Sequence, residues 1–248
     1  MRYFIKLAYK GTDFHGWQLQ PNALSVQQVV QEALQMLLKE PITILGAGRT
    51  DAGVHASQFF AHFDFDKVLN TDDLVLRLNA IFPDSVVVYT IFKVSDNTHA
   101  RFDALSRTYE YRIFLGRDPF LTDTVWQLYH QQLNVEAMNK AASYLFDYAD
   151  FKCFSKSKTD VKTYNCKITE AHWEQKDAHL TFTITADRFL RNMVRAVVGT
   201  LIDIGLGKNT PETMKAVIES RNRQKAGFSV PAKGLFLTKI IYPNNIFA

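Results

Sequence analysis

Residues Gly46 to Phe65 read G-A-G-R-T-D-A-G-V-H-A-S-Q-F-F-A-H-F-D-F. The stretch falls into two parts. In the second, Phe59, Ala61, Phe63 and Phe65 recur at period two, the pattern of a half-buried strand running from His55 to Phe65. In the first, glycines and alanines flank Arg49, Thr50 and Asp51. Gly46, Gly48 and Gly53 permit positive φ and tight turns without a Cβ penalty. Such a segment favours neither helix nor strand. It reads as a shaped loop presenting Arg49 and Asp51 just ahead of a core strand, the rigid setting a catalytic carboxylate needs. It is not a dinucleotide fingerprint, because the third glycine of G-x-G-x-x-G would fall on Asp51. It is not a P-loop, because no Gly-Lys-Ser/Thr follows. Asp51 with His55 and His62 is a conceivable metal set, but no further ligand spacing supports it. A purely structural turn also fits these residues.

Outward from this stretch, regular elements alternate. Arg2 to Tyr9 reads as a strand, followed by the turn-rich K-G-T-D-F-H-G-W-Q-L-Q-P. Ser25 to Glu40 predicts a helix: Val26, Val29, Val30, Ala33, Leu34 and Leu37 share one face, Ser25 with Gln28 suggests a capping box, and Pro41 stops it. Ile42 to Leu45 predicts a short strand into the loop. Thr71 can cap a helix through Ala80, and Ser85 to Val94 is a β-branched strand. The order strand, helix, two strands, helix, strand is that of a ferredoxin-like split βαβ unit.

The second half repeats that order. Ser106 to Leu115 alternates, with Tyr109, Tyr111 and Ile113 on one face. Asn134 can cap a helix through Leu145. Phe151 to Tyr164 is a lysine- and serine-rich loop, and Cys166–Trp173 with His179–Ala186 suggests a hairpin. A second strong helix is predicted from Arg188 to Gly205, with Arg188, Arg191 and Arg195 along one face, either a phosphate-binding stripe or a solvated charged face. Thr210 and Pro211 announce a further helix, and Leu235 to Tyr242 a last strand. The fold class is therefore α+β, in two halves that share element order, 1–103 and 104–248.

Composition sets outer bounds. The chain has 248 residues, 47% hydrophobic and 22% charged, which is ordinary for a globular protein. Charge breaks every apolar run well short of a membrane span, and the start, M-R-Y-F-I-K-L-A-Y-K, does not read as a signal peptide. Cys153 and Cys166 have neither C-x-x-C nor zinc spacing, so free thiols in a reducing cytoplasm are expected. A net charge of +4 leans mildly towards polyanions.

The run from Gly48 to Ala56, G-R-T-D-A-G-V-H-A, resembles the signature of the tRNA pseudouridine synthase A family. The resemblance implies that Asp51 is the catalytic residue. The run F-L-R-N-M-V-R-A-V-V-G is similar to the family's carboxy-terminal motif and implies that Arg195 pairs with the catalytic aspartate. Such a guanidinium would keep a carboxylate ionised and fix its direction. In S-R-T-Y-E-Y-R-I, Tyr109 resembles the tyrosine that stacks on the target base; the strand pattern by itself fits a core tyrosine equally well, as it does for Tyr111. Arg49 resembles the arginine that fills the space left by a flipped base. Weaker matches are Tyr9, Gly11, Phe14, Gly16, Trp17 and Gln18, then Val26-Gln27, then Pro231, Gly234 and Leu235; the region from Phe151 to Cys166 departs most.

The family resemblance implies two RRM-like halves with mostly antiparallel sheets joined across a central basic cleft. It implies isomerisation of uridine to pseudouridine at positions 38, 39 and 40 of tRNA in a cytoplasmic homodimer. An isomerisation needs no cofactor and no metal. Two other classes remain as comparisons. A non-catalytic RNA binder would need an aromatic RNP1-type run, which is not recognisable here. A metal-assisted hydrolase would use Asp51, His55 and His62.

Overall fold

In the computed structural model, which describes residues 1–156 and 161–247, contacts divide the chain into two units, 1–106 with 236 onward, and 107–235. The boundary expected after residue 103 thus falls three residues early, and the last strand groups with the first unit.

The first unit contains β1 (Arg2–Tyr9), α1 (Val26–Leu38), β2 (Ile44–Gly46), β3 (His55–Asp64), α2 (Thr71–Ile81) and β4 (Val86–Val94). The second contains β5 (Ser106–Phe114), β6 (Trp126–Gln127), α3 (Val135–Ser143), β7 (Ile168–Lys176), β8 (His179–Ala186), α4 (Met193–Gly205) and α5 (Thr213–Ser220). β9 (Leu235–Ile241) closes the chain. The class is α+β, and the pairing is mixed but mostly antiparallel.

In the first unit, β1 lies antiparallel between β4 and β3, and β2 pairs antiparallel with β3 through Ile44↔Phe63. β9 adds a short parallel pairing to the start of β3, at His55↔Phe236 and Ala56↔Leu237. This is the split βαβ arrangement that the element order predicts. β1 and β3 are covered on both faces: consecutive Phe4 and Ile5 are buried, and so is the whole run Phe59 to Phe63, so β3 is not the half-buried strand that its period-two pattern suggests. In the second unit β8 lies between β5 and β7, antiparallel to both, with Tyr111 opposite Phe182 and Phe182 opposite Trp173. α3 packs on β7 and on α4, and Met138, Val197 and Leu201 of these helices are fully buried.

Helix ends depart from the sequence reading in instructive ways. Ser25 Oγ does accept from Gln28 N at 3.2 Å, but the Gln28 side chain turns to Glu32, so only half of the capping box forms. α1 stops at Leu38 because Lys39 adopts the left-handed conformation ahead of Pro41. Asn70, not Thr71, caps α2. Asn134 caps α3 as expected, but α3 ends at Ser143 and tightens into a 3₁₀ turn. α5 starts at Thr213, two residues beyond Pro211.

Candidate active site

The Asp51 loop is held against the first unit by main-chain contacts. The turn-rich segment after β1 is its wall. Trp17 and Phe14 in that polar stretch are buried, at 1% and 3% exposed. The indole of Trp17 stacks on Phe59 at 4.2 Å, and Tyr9 meets Phe59 edge-on at 5.7 Å. Thr50 is gripped by this cluster: its Oγ1 accepts from Trp17 N at 3.1 Å and shares a 3.0 Å hydrogen bond with the Tyr9 hydroxyl. Gly53 N donates to Phe14 O at 3.1 Å, and Val54 N turns back onto Asp51 O at 3.2 Å.

Two glycines make this approach possible. Gly16 has φ of +85°, and a Cβ there would lie 2.2 Å from Thr50 O. A Cβ on Gly11 would lie 2.0 Å from Val54 O. Gly46 at the end of β2 leaves room for the Trp17 indole, whose Nε1 would be 2.4 Å from an added Cβ. Of the three loop glycines that permit positive φ, Gly53 uses it, at +78°. The weak match Val26-Gln27 also has a structural basis. Buried Gln27 accepts from Leu19 N and from Gln18 Nε2, and donates to Ile44 O at 2.9 Å, tying α1 to the strand that leads into the loop. Asp51 itself is half-buried and Arg49 is exposed.

In the second unit, Arg195 sits in the first turn of α4. Its Nε donates to Val230 O at 2.7 Å, and Val230 N returns a bond to Arg195 O at 3.2 Å. Segment 226–231 lies flat on α4 because Gly199 and Gly227 let backbones touch: a Cβ on Gly199 would be 1.9 Å from Phe228 O, and one on Gly227 2.4 Å from Thr200 N. Ser229 Oγ accepts from Asn192 Nδ2 at 2.8 Å and from Arg223 Nη2 at 2.9 Å. Val230 carries no sequence signal for this role, since the group it contributes is a main-chain carbonyl.

The two tyrosines of β5 separate clearly. Tyr111 is fully buried, and its hydroxyl donates to Pro231 O at 2.8 Å. Burial pushes that phenol's pKa above its ordinary value, with Arg195 opposing. Tyr109 is half-buried and meets the edge of Phe189 at 5.2 Å with the rings at 89°. Tyr111 is the core residue, and Tyr109 remains partly exposed. Phe189 is a neighbour that the sequence reading did not single out.

The arginine stripe is a correction. α4 begins at Met193, not Arg188, so Arg188 and Arg191 lie on the preceding turn and only Arg195 is helical. The reason is local. Asp187 Oδ1 accepts from Arg188 N and Lys167 N, holding an extended corner, and Asn192 adopts φ of +67°, which an α-helix does not admit. His55 and His62 are 1% and 2% exposed, and Nδ1 of each accepts a main-chain N–H, from Gly11 and Ala100. Among the described residues, no three His, Cys, Asp or Glu side chains are arranged to hold a metal ion, and no helix is long and apolar enough to cross a membrane. Cys153 and Cys166 are free and buried. Residues 157–160 of the divergent loop lie outside the described residues.

A family model described as tRNA pseudouridine synthase matches residues 141–243. Similar chains extend over the whole sequence. tRNA pseudouridine synthase A of Parabacteroides distasonis is 51% identical across 99% of this chain and 98% of its own length. The protein of that name from Bacteroides thetaiotaomicron is 50% identical over 100% of this chain and 93% of its own. tRNA pseudouridine synthase A 2 of Clostridium perfringens is 38% identical over 96% and 98%. Identity at this level, spanning both the Asp51 loop and the Arg195 helix, means that the chain belongs to the tRNA pseudouridine synthase A family.

Proposed function

We propose that this chain isomerises uridine to pseudouridine in tRNA, at positions 38, 39 and 40 of the anticodon arm. The bond from N1 of uracil to C1′ breaks, the base turns, and C5 bonds to C1′. The proton lost from C5 is balanced by the one gained at N1, so no co-reactant enters. The first unit supplies Asp51 as the catalytic carboxylate, acting covalently or as an acid/base group. The second supplies Arg195, which orients that carboxylate and keeps it ionised, and Tyr109, which stacks on the uracil. A stacked base must be flipped out before reaction, which takes a few kcal/mol, and Arg49 fills the space it vacates. The two halves would meet across a basic cleft. The enzyme works in the cytoplasm as a homodimer, with each tRNA crossing both subunits, and without cofactor or metal.

The observation that carries this reading is the R-T-D-A-G-V-H run, seated on a loop that a separate glycine- and aromatic-rich segment holds in place. Incubating the purified protein with unmodified tRNA transcript, without cofactors, and mapping pseudouridine tests it. Product at 38, 39 or 40 is expected, and its absence would refute the reading. Asp51→Asn should abolish product while tRNA binding survives. That binding should weaken steeply with salt through phosphate contacts.

A further inference from the structure

Gly48, inside the Asp51 loop, has no internal reason to be glycine. Apart from its two chain neighbours, no described residue has an atom within 4 Å of the point where its Cβ would stand. Its φ is not in the left-handed range, which only Gly16, Gly53 and Gly207 occupy among the described glycines. Each other glycine of the chain either has that φ or has an atom within 3.0 Å of an added Cβ. Glycine lowers stability by enlarging the conformational entropy of the unfolded chain, and a neutral site favours its replacement. The next residue, Arg49, is an exposed cation, and Asp51 lies three residues on.

We propose that Gly48 is a clearance residue for RNA: the sugar–phosphate chain beside the target uridine passes over its bare Cα, closer than any side chain would allow. This rests on the function proposed above. With Arg49 filling the vacated base position, the sugar–phosphate chain of the target lies beside this loop, and the absence of a Cβ lets the ribose approach the loop backbone.

The test compares wild type, Gly48→Ala and Gly48→Val by thermal melting, by tRNA binding, and by kcat and KM on unmodified tRNA transcript. Melting temperatures of both variants should equal or slightly exceed wild type. Gly48→Val should bind the transcript more weakly and lose about a hundredfold in kcat/KM, the scale of an ångström-sized displacement of substrate, with Gly48→Ala between. A Gly48→Val enzyme as active as wild type would overturn the proposal, as would a clear drop in melting temperature, which would make the glycine structural. If wild type itself forms no pseudouridine, the proposed function fails and this inference falls with it; activity in wild type isolates the glycine.

Discussion

Gly16→Ala is the sharpest test of how the catalytic loop is held. The substitution adds one methyl group against the loop backbone, 3.2 Å from the main-chain carbonyl carbon of Asp51. At φ of +85° an L-residue is strained by about 1–2 kcal/mol. The new Cβ would also stand 2.2 Å from Thr50 O, whereas ordinary contact begins at 3.4 Å, so the Thr50–Asp51 backbone must retreat by about 1.2 Å. Thr50 is tied to Trp17 N and to the Tyr9 hydroxyl, so that retreat strains both bonds. Overpacking of this kind costs about 1–3 kcal/mol. With about 2–4 °C of melting temperature per kcal/mol for a chain of this size, thermal melts should fall by about 4–20 °C. An ångström-scale displacement of a catalytic carboxylate lowers turnover about a hundredfold. Single-turnover pseudouridine formation at a temperature where the variant is fully folded reads that loss apart from unfolding. A variant that melts and turns over like wild type would refute the idea that this wall positions the loop.

Arg195→Lys keeps the charge but not the Nε bond to Val230 O. It should lose most turnover together with about 1.5–3 kcal/mol of stability, measured by single-turnover assay and denaturant titration. Tyr109→Leu should lower turnover about ten- to hundredfold through lost stacking with little change in melting, while Tyr111→Phe should lose about 1–3 kcal/mol by orphaning Pro231 O and retain activity. Burial, then the charges of Arg2 and His99, hold His62 down at about 4, with Asp64 and Asp103 opposing. The unfolded chain therefore binds the proton first, and stability present above pH 6.5 should decline by about 3 kcal/mol as pH falls towards 4; His62→Gln should flatten that slope in pH-resolved denaturant titrations. Burial raises the Cys153 and Cys166 thiols to about 12, so neither should react with an aromatic disulfide at pH 8 until the protein unfolds.

The strands and the Asp51 loop were legible in the sequence because apolar, aromatic and β-branched runs and clustered small residues are local signals, but the half-buried reading of β3 was not met, since Phe59 to Phe63 are all buried. β1 matches residue for residue, and β3 ends one residue short of the sequence reading. The start of α4 was not legible in the same way. Arg188, Arg191 and Arg195 have helical spacing, but the left-handed backbone at Asn192 and the Asp187 corner, tied to Lys167 from twenty residues earlier, override it. The burial of Trp17 was not legible either: among glycines and glutamines no local signal marks it as core, and Phe59 and Gly46 from distant sequence pack against it. The carbonyl of Val230 was beyond reach of residue-type reasoning, since every residue has one.

One device recurs beside both proposed reactive side chains. At Gly16 a bare Cα meets Thr50 O, one residue before Asp51; at Gly199 a bare Cα meets Phe228 O, two residues before the carbonyl that holds Arg195. Contact between backbones has no rotamer with which to yield, unlike contact between side chains. A group placed this way keeps its position to within a fraction of an ångström, but the arrangement tolerates no intermediate. Substituting either glycine moves whole segments, whereas trimming the aromatic residues behind them leaves cavities that partly relax. Accuracy at Asp51 and Arg195 therefore depends more on glycines in neighbouring segments than on the polar residues beside them. It follows that a Phe59→Leu enzyme, though less stable, should keep more of its turnover per folded molecule than Gly16→Ala does. Equal residual activity in the two would mean that the aromatic packing, not the backbone contact, fixes the loop.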